Sequence, residues 1–229
     1  MNLLLDLEIL GWLLVGLAGL ECVPIAAALI SGEPVLAYAG SALTALVFGL
    51  PVALSARSPN RRMRIRDGFL VVTGAWVLAS VFGAIPYLLS GALAPADALF
   101  ESVSGFTTTG STVLTEIESA PRALLLWRSL TQWVGGMGII VFAVAVLPLL
   151  GIGGMQLFKA EVPGPITDKL TPRVSDTARR LWLVYVGFTA LGFVALRIAG
   201  MPTFDAINHA LTALATGGFS TRSASIGAF

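Results

Sequence analysis

Two segments of the sequence are nearly alike: Phe106-Thr107-Thr108-Thr109-Gly110-Ser111-Thr112 and Ala215-Thr216-Gly217-Gly218-Phe219-Ser220-Thr221. One constant offset aligns Gly110 with Gly218, and at the same offset Asp97-Ala98 aligns with Asp205-Ala206 ahead of the two segments. Each segment also follows an apolar stretch long enough to span a bilayer. A Thr- and Gly-rich loop between membrane helices is suited to ion coordination by backbone, so the repeat predicts a cation pore.

The composition is that of a membrane protein. Hydrophobic residues make up 56% of the 229-residue chain and charged residues only 12%, about half the charged fraction of a soluble domain. The net charge of +1 argues against a nucleic-acid partner. The single cysteine, Cys22, excludes an internal disulfide and is interpreted as a packing residue. We expect no cleaved signal peptide, because the early charges are acidic and the first apolar stretch is too long.

Five apolar segments are long enough to cross a bilayer. They cover residues 7–30, 35–56, 69–89, 123–150 and 181–199. Two shorter helices, at about 96–106 and 203–214, directly precede the repeated loops and are too short to cross. The predicted fold class is therefore an all-α membrane protein.

Positive charge is concentrated in two places, and this predicts the orientation. Ten of the 14 Lys and Arg residues lie at positions 57–66 or 159–180. With five spans both stretches fall on one side, which the positive-inside rule makes cytoplasmic. The N-terminus is then cytoplasmic, and the two short helices lie on the outer side. The first short helix and its loop must enter the membrane from outside and leave again, so the unit is span, short helix, loop, span.

Such loops suit a monovalent cation. Non-helical backbone at membrane depth is tolerated where it is buried in protein or lines a wet cavity, and its carbonyls can there replace a hydration shell. Neither loop contains Asp or Glu, which argues against a calcium-type carboxylate ring. Close helix packing is the alternative for Thr- and Gly-rich patches. It is the preferred interpretation of Gly135-Gly136-Met137-Gly138, with a hinge or pore lining as the other possibility.

Two further motifs lie between the loops. Residues 127–140 read Trp-Arg-Ser-Leu-Thr-Gln-Trp-Val-Gly-Gly-Met-Gly-Ile-Ile, and residues 153–165 read Gly-Gly-Met-Gln-Leu-Phe-Lys-Ala-Glu-Val-Pro-Gly-Pro. In this order and spacing, the two motifs and the two loops resemble the TrkH family, the membrane subunits of bacterial Trk potassium uptake systems. The resemblance covers essentially the whole chain.

The resemblance implies four pseudo-repeats, each helix–pore loop–helix, around one pathway, with two transmembrane helices in front. The chain then divides into a leading two-helix hairpin (1–56), a basic cytoplasmic loop (57–68), a complete first repeat (69–150), a cytoplasmic connector (151–180) and a second repeat that ends after its loop (181–229). The connector is a candidate docking surface for a soluble regulator.

The resemblance also implies the ion, the partners and the filter. The ion would be potassium, the partners a TrkA-like cytosolic nucleotide-binding subunit and a second copy of the protein, and the location the bacterial inner membrane. In relatives that pass sodium the first-loop glycine is a serine, so Gly110 and Gly218 favour potassium. The predicted filter uses the backbone carbonyls of eight residues, of which the last is also a wall residue: Thr108, Thr109, Gly110, Ser111, Thr216, Gly217, Gly218 and Phe219.

The chain departs from the family pattern in length, because it contains two loops of the expected four and stops at Phe229. We therefore expect the N-terminal half of a longer protein that does not conduct alone, and potassium uptake is predicted for the parent protein. A secondary transporter with broken helices is the alternative, disfavoured because the repeat is parallel and no charged pair lies mid-span. A non-conducting membrane fragment also stays open. No enzyme is expected, because no nucleophile–base set or metal-ligand spacing is present.

Polar residues outside the filter set have simpler interpretations. Arg128, one turn before Gln132, is expected to anchor a pore loop or to snorkel, with ion gating as the alternative. Glu21 is expected to be a satisfied carboxyl in a kinked span, and the only histidine, His209, to be structural or outward-facing. Asp97 and Asp205 are expected to cap the short helices or to pair with their dipoles.

Overall fold

The computed structural model describes residues 2–57, 65–146 and 174–229, and the regular structure within these ranges is helical. The helices are α1 (Leu3–Leu20), α2 (Cys22–Ser31), α3 (Leu36–Ser55), α4 (Ile65–Gly83), α5 (Ile85–Leu89), α6 (Pro95–Phe106), α7 (Arg122–Val146), α8 (Val174–Ile198) and α9 (Thr203–Leu214). Short 3₁₀ turns lie at Ile117–Ser119 and Ser225–Ala228. The all-α fold class is confirmed. Most of the predicted basic loop and connector, including the motif at 153–165, lies outside the described residues.

Four stretches of the described chain are long and apolar enough to cross a membrane. They are Leu3–Ser31, Leu36–Ser55, Arg66–Leu89 and Ala178–Ile198, which coincide with four of the five predicted spans. The remaining predicted span, at 123–150, falls on α7. This helix has 25 residues and is therefore about 37 Å long at 1.5 Å per residue. Its predicted continuation over 147–150 lies outside the described residues.

The first span is interrupted where the sequence predicts. Glu21 separates α1 from α2, and Pro24 in the first turn of α2 has no N–H to continue the ladder. The Glu21 side chain is fully buried. Its Oε1 accepts a hydrogen bond of 2.7 Å from the Ser41 hydroxyl. Its Oε2 has no hydrogen-bond partner within the described ranges, so the expectation of a satisfied carboxyl is only half right.

Small residues bring α1 and α3 into close contact. A Cβ built on Gly49 would lie 2.6 Å from the Cβ of Leu14 and 2.9 Å from the carbonyl oxygen of Gly11. Association of helices in a membrane depends on this kind of packing, because lipid chains are as apolar as the side chains. Helices α1 and α3 therefore pack with their backbones close together at Gly11 and Gly49.

Helix α7 is the central element around which the others pack. It contacts α2, α4, α6, α8 and α9. The N–H groups of Arg122 and Ala123, at its first turn, donate to the carboxylate of Glu33 at 2.8 and 3.0 Å. The indole N–H of Trp127, which is fully buried, donates to the carbonyl oxygen of Gly83 at 3.0 Å. These bonds orient α7 so that α6 and α9, with the loops that follow them, lie against it.

Candidate functional site

Two short helices lead into the repeated loops. Helices α6 and α9 have 12 residues each and end at Phe106 and Leu214, as predicted. Asp97 and Asp205 lie in their first turns, but neither helix has a side-chain N-cap, so the capping part of that expectation is wrong. Asp97 is exposed. Asp205 instead accepts a hydrogen bond of 2.5 Å from the hydroxyl of Thr221, at the far end of its own loop.

Both helices end in the same turn. The N–H of Thr108 donates to the carbonyl oxygen of Gly105 at 2.9 Å and that of Thr109 to Ser104 at 3.0 Å, and both bonds recur at the equivalent positions after α9. This pair of bonds defines the Schellman motif, in which one residue takes left-handed angles. That residue is Thr108 in the first loop (φ 56°) and Thr216 in the second (φ 55°). Because β-branched residues resist this conformation, both loops contain the same strained residue at the same position.

A second left-handed residue follows two positions later in each loop, and it is glycine. Gly110 has φ 78° and Gly218 has φ 86°. A backbone with such alternating angles forms neither helix nor strand. Its carbonyls are correspondingly unpaired: of the eight predicted filter residues only Ser111 has a carbonyl that accepts a hydrogen bond within the described residues, from the Ser104 hydroxyl at 2.6 Å. A carbonyl oxygen that accepts no hydrogen bond from the protein is free to bind water or a cation.

The two loops touch at their glycines. A Cβ built on Gly110 would fall on the carbonyl oxygen of Gly217, so only glycine fits there without a shift. One built on Gly218 would meet no atom within 4 Å. Gln132 of α7 lies between the loops: its Oε1 accepts the N–H of Phe219 at 3.1 Å. Its Nε2 is buried and has no partner in the described part of the chain.

Arg128, one turn earlier on α7, binds both loops. Its Nη2 donates to the hydroxyl of Thr112 at 3.0 Å, and its Nη1 donates to the carbonyl oxygen of Ser220 at 3.2 Å. Its Nε pairs with Glu101 of α6 at 2.7 Å, and the two side chains are 1% and 0% exposed. The guanidinium carbon lies 4.2 Å from the centre of the Phe219 ring. The expected anchoring of a loop is therefore observed, whereas snorkelling is wrong because the charge is buried.

At equivalent positions, each short helix has a side chain that contacts a hydroxyl of its own loop, but the side chain is a carboxylate in α6 and an imidazole in α9. The offset that aligns Gly110 with Gly218 also aligns Glu101 with His209. Glu101 accepts from the hydroxyl of Thr112 at 2.8 Å, and Nε2 of His209 lies 3.1 Å from the hydroxyl of Ser220. His209 is 4% exposed, which agrees with a structural role and not with an outward-facing one.

Helices α6 and α9 end against adjacent glycines of α7. A Cβ built on Gly135 would fall on the carbonyl oxygen of Phe106, and one on Gly136 would lie 3.0 Å from the Cα of Ala215. The packing interpretation is confirmed at these two positions. One built on Gly138 makes only ordinary contact at 3.9 Å.

The eight predicted residues thus lie in two adjoining loops, and sequence reasoning missed the polar ties behind them. These ties are made by Glu101, Thr112 and Ser220. The alignment of the two loops contained the signal, because it pairs Thr112 with Ser220 and both are hydroxyl residues. The eight residues differ in burial: Thr109, Ser111, Thr216 and Gly218 are exposed, Thr108 and Gly110 half-buried, and Gly217 and Phe219 buried.

Comparison with known proteins gives a consistent match. A family model described as "TrkH: Cation transport protein" matches residues 33–229. The chain is 47% identical over 233 residues to the Trk system potassium uptake protein TrkH of Salmonella typhimurium, covering 97% of this chain and 47% of that protein. It is 50% identical over 184 residues to the protein of the same name from Halomonas elongata, covering 79% and 38%.

A solved structure is also similar. The crystal structure of the potassium transporter TrkH from Vibrio parahaemolyticus superposes with a TM-score of 0.89 at 37% identity, covering 100% of this chain and 46% of that one. The chain therefore spans about half the length of the curated relatives it matches.

Proposed function

The chain belongs to the TrkH family of cation transport proteins, and we propose that the protein takes up potassium across a bacterial inner membrane. Its relatives are named Trk system potassium uptake proteins. Because the chain spans about half the length of these relatives, the proposal concerns the whole protein, in which the two loops described above form part of the filter. No catalytic chemistry is proposed.

The proposed organisation follows the sequence prediction. A leading hairpin (1–56) and a basic cytoplasmic loop (57–68) precede a first repeat (69–150), a cytoplasmic connector (151–180) and a second repeat (181–229). The N-terminus lies in the cytoplasm. A cytosolic nucleotide-binding subunit of the TrkA kind and a second copy of the protein are the proposed partners, and the connector is the proposed docking surface.

The observation that carries the proposal is a run of carbonyls that accept no hydrogen bond from the described residues, Ser111 excepted, in two loops of the same backbone conformation. A potassium ion that enters the pathway would exchange water ligands for these oxygens, at Thr108, Thr109 and Gly110 of one loop and at the equivalent positions of the other. The loops contain no carboxylate, which suits a monovalent ion. Both loops also begin at the C-terminal end of a short helix, where the helix dipole is negative and favours a cation.

Replacing Gly110 by serine in the complete gene tests this proposal. Cells that lack their own potassium uptake systems would carry the variant, and uptake of potassium and sodium would be measured per amount of membrane-inserted protein. Because the new Cβ would fall on the carbonyl oxygen of Gly217, at least one of the two loops must shift. We expect potassium preference to drop and sodium to enter.

Gly91→Ser is the matched control. Gly91 also has a positive φ, of 70°, but a Cβ there meets no atom within 4 Å. The control introduces the same backbone strain away from the loops, so its selectivity should equal that of the unmodified protein. Unchanged selectivity in Gly110→Ser, at normal protein level, would mean that residues 107–112 are a packing motif and would contradict the proposed filter.

A further inference from the structure

One side chain behind the loops connects equivalent points of the two repeats. Arg128 donates to the Thr112 hydroxyl in the first loop and to the Ser220 carbonyl in the second, at 3.0 and 3.2 Å. Thr112 and Ser220 align with each other and therefore occupy the same position in their loops. Neither belongs to the predicted filter set; each follows its last member. Arg128 thus holds the point at which each loop leaves the filter.

The pair with Glu101 makes this connection rigid. Glu101 Oε1 accepts from Arg128 and from Thr112, and its Oε2 accepts the N–H of Val113 at 3.0 Å. Arg128, Glu101 and Thr112 therefore form a closed triangle of hydrogen bonds. Removing one partner of a buried ion pair leaves the other charge uncompensated, so the pair resists separation.

The shape of the guanidinium matters as well as its charge. Three nitrogens of Arg128 donate to three different partners, and the group lies 4.2 Å over the Phe219 ring, which limits rotation of its plane. A lysine ammonium is a compact charge without the planar fork, so it cannot reproduce these directions at once. The site therefore requires arginine and not merely a cation.

We infer that Arg128 sets the position of one loop relative to the other, and that it is a specificity-determining positioning residue that does not touch the ion. The inference rests on the proposed function. In a filter of backbone oxygens, selectivity depends on where carbonyls from different loops lie around the ion. A residue that binds both loops controls that distance, even though it lies behind them.

Arg128→Lys in the complete protein tests the inference, with Arg122→Lys as the matched control. Arg122 is on the same helix, is exposed, and its guanidinium lies 5.5 Å from the ring centre of Phe204, away from both loops. Uptake of rubidium, used in place of potassium, and uptake of sodium would each be measured per amount of membrane-inserted protein. We expect the preference for rubidium over sodium to fall about tenfold in Arg128→Lys, the effect of losing about one charge-assisted hydrogen bond. The control should not change it.

A second variant keeps the test decisive if Arg128→Lys inserts poorly. Thr112→Val keeps the shape of the side chain but removes the hydroxyl shared by Arg128 and Glu101. Thr112→Val should also lower the preference for rubidium over sodium. Because both substitutions act through one contact, the double variant Arg128→Lys/Thr112→Val should lower it little more than the stronger of the two single variants. Selectivity that is unchanged in Thr112→Val, or in well-inserted Arg128→Lys, would overturn the inference.

The same assay separates this inference from the proposed function. If Gly110→Ser changes selectivity while Arg128→Lys and Thr112→Val do not, the loops form the filter and Arg128 has only a structural role. If Gly110→Ser also leaves selectivity unchanged, the proposed filter is wrong and the inference fails with it.

Discussion

Replacing Gly135 by alanine tests how directly the end of α6 rests on α7. The new Cβ would fall on the carbonyl oxygen of Phe106, with the carbonyl carbon at 2.7 Å and the Cα at 3.0 Å. All three are backbone atoms, so no flexible side chain can move aside. The last turn of α6, and with it the start of the first loop, must move away from α7.

The magnitude follows from a comparison with Gly138→Ala on the same helix. Gly138 is exposed, and a Cβ there makes only ordinary contact, at 3.9 Å. Both substitutions gain up to about 1 kcal/mol of helix propensity. Because this gain is common to both, the difference between the two variants reports the steric cost alone. Overpacking of this kind costs about 1–3 kcal/mol, so Gly138→Ala should be neutral or stabilising and Gly135→Ala destabilising.

Thermal unfolding of the two purified proteins in the same detergent gives the comparison, and potassium uptake gives the functional consequence. We expect Gly135→Ala to melt at a lower temperature than Gly138→Ala and to lose part of its potassium preference, since Phe106 precedes the first loop directly. Equal melting temperatures, with both variants folded, would refute the reasoning. They would mean that α6 shifts without cost and is not seated on α7.

Two further predictions concern polar contacts outside the loops. Ser41→Ala removes the donor to the buried carboxyl of Glu21 and should lower the free energy of unfolding by about 1–3 kcal/mol. The control Thr44→Val removes a hydroxyl that bonds within its own helix and should lower the free energy of unfolding by less. Equal losses in the two variants would contradict this interpretation. The backbone N–H and hydroxyl of Ser223, at 2.6 and 2.8 Å, hold the pKa of the Glu118 carboxyl below its ordinary value of 4.5. A lowered pKa in the folded state means that the contact stabilises the fold above that value and is lost as pH falls through the folded pKa. Exchange of the Ser223 amide, corrected for its intrinsic pH dependence, should therefore accelerate in acid, and less so in Glu118→Gln; the same acceleration in both would count against the contact.

The helices were predictable because their signals are local. Apolar length identified the spans, and the break at Glu21 followed from a charged residue and a proline close together in an apolar run. The short helices followed from the repeat, since the same pattern occurs before each loop. These inferences need only neighbouring residues and the thickness of a bilayer.

The role of the polar residues was less predictable. Asp205 looks like a helix cap in the sequence, yet its carboxylate binds Thr221, 16 residues away. The sequence does not show that His209 bonds Ser220, because the two residues meet only when the second loop folds back onto α9. Arg128 is recognisable in the sequence as an unusual charge in a membrane span, but the sequence is equally compatible with snorkelling to the membrane surface and with anchoring a loop. Only burial separates the two.

The sequence by itself determined the helices, the positions of the two loops and their likeness, because periodicity, apolar length and a repeated motif are properties of the chain. It also placed the protein in its family through four ordered motifs. The tertiary structure alone decided which atoms meet: the carbonyl of Gly217 against Gly110, and Arg128 between Thr112 and Ser220. Arg128 and Ser220 are 92 residues apart, and no local preference encodes such a contact. It results from the packing of α6 and α9 on the glycines of α7, where the absence of side chains lets backbones approach.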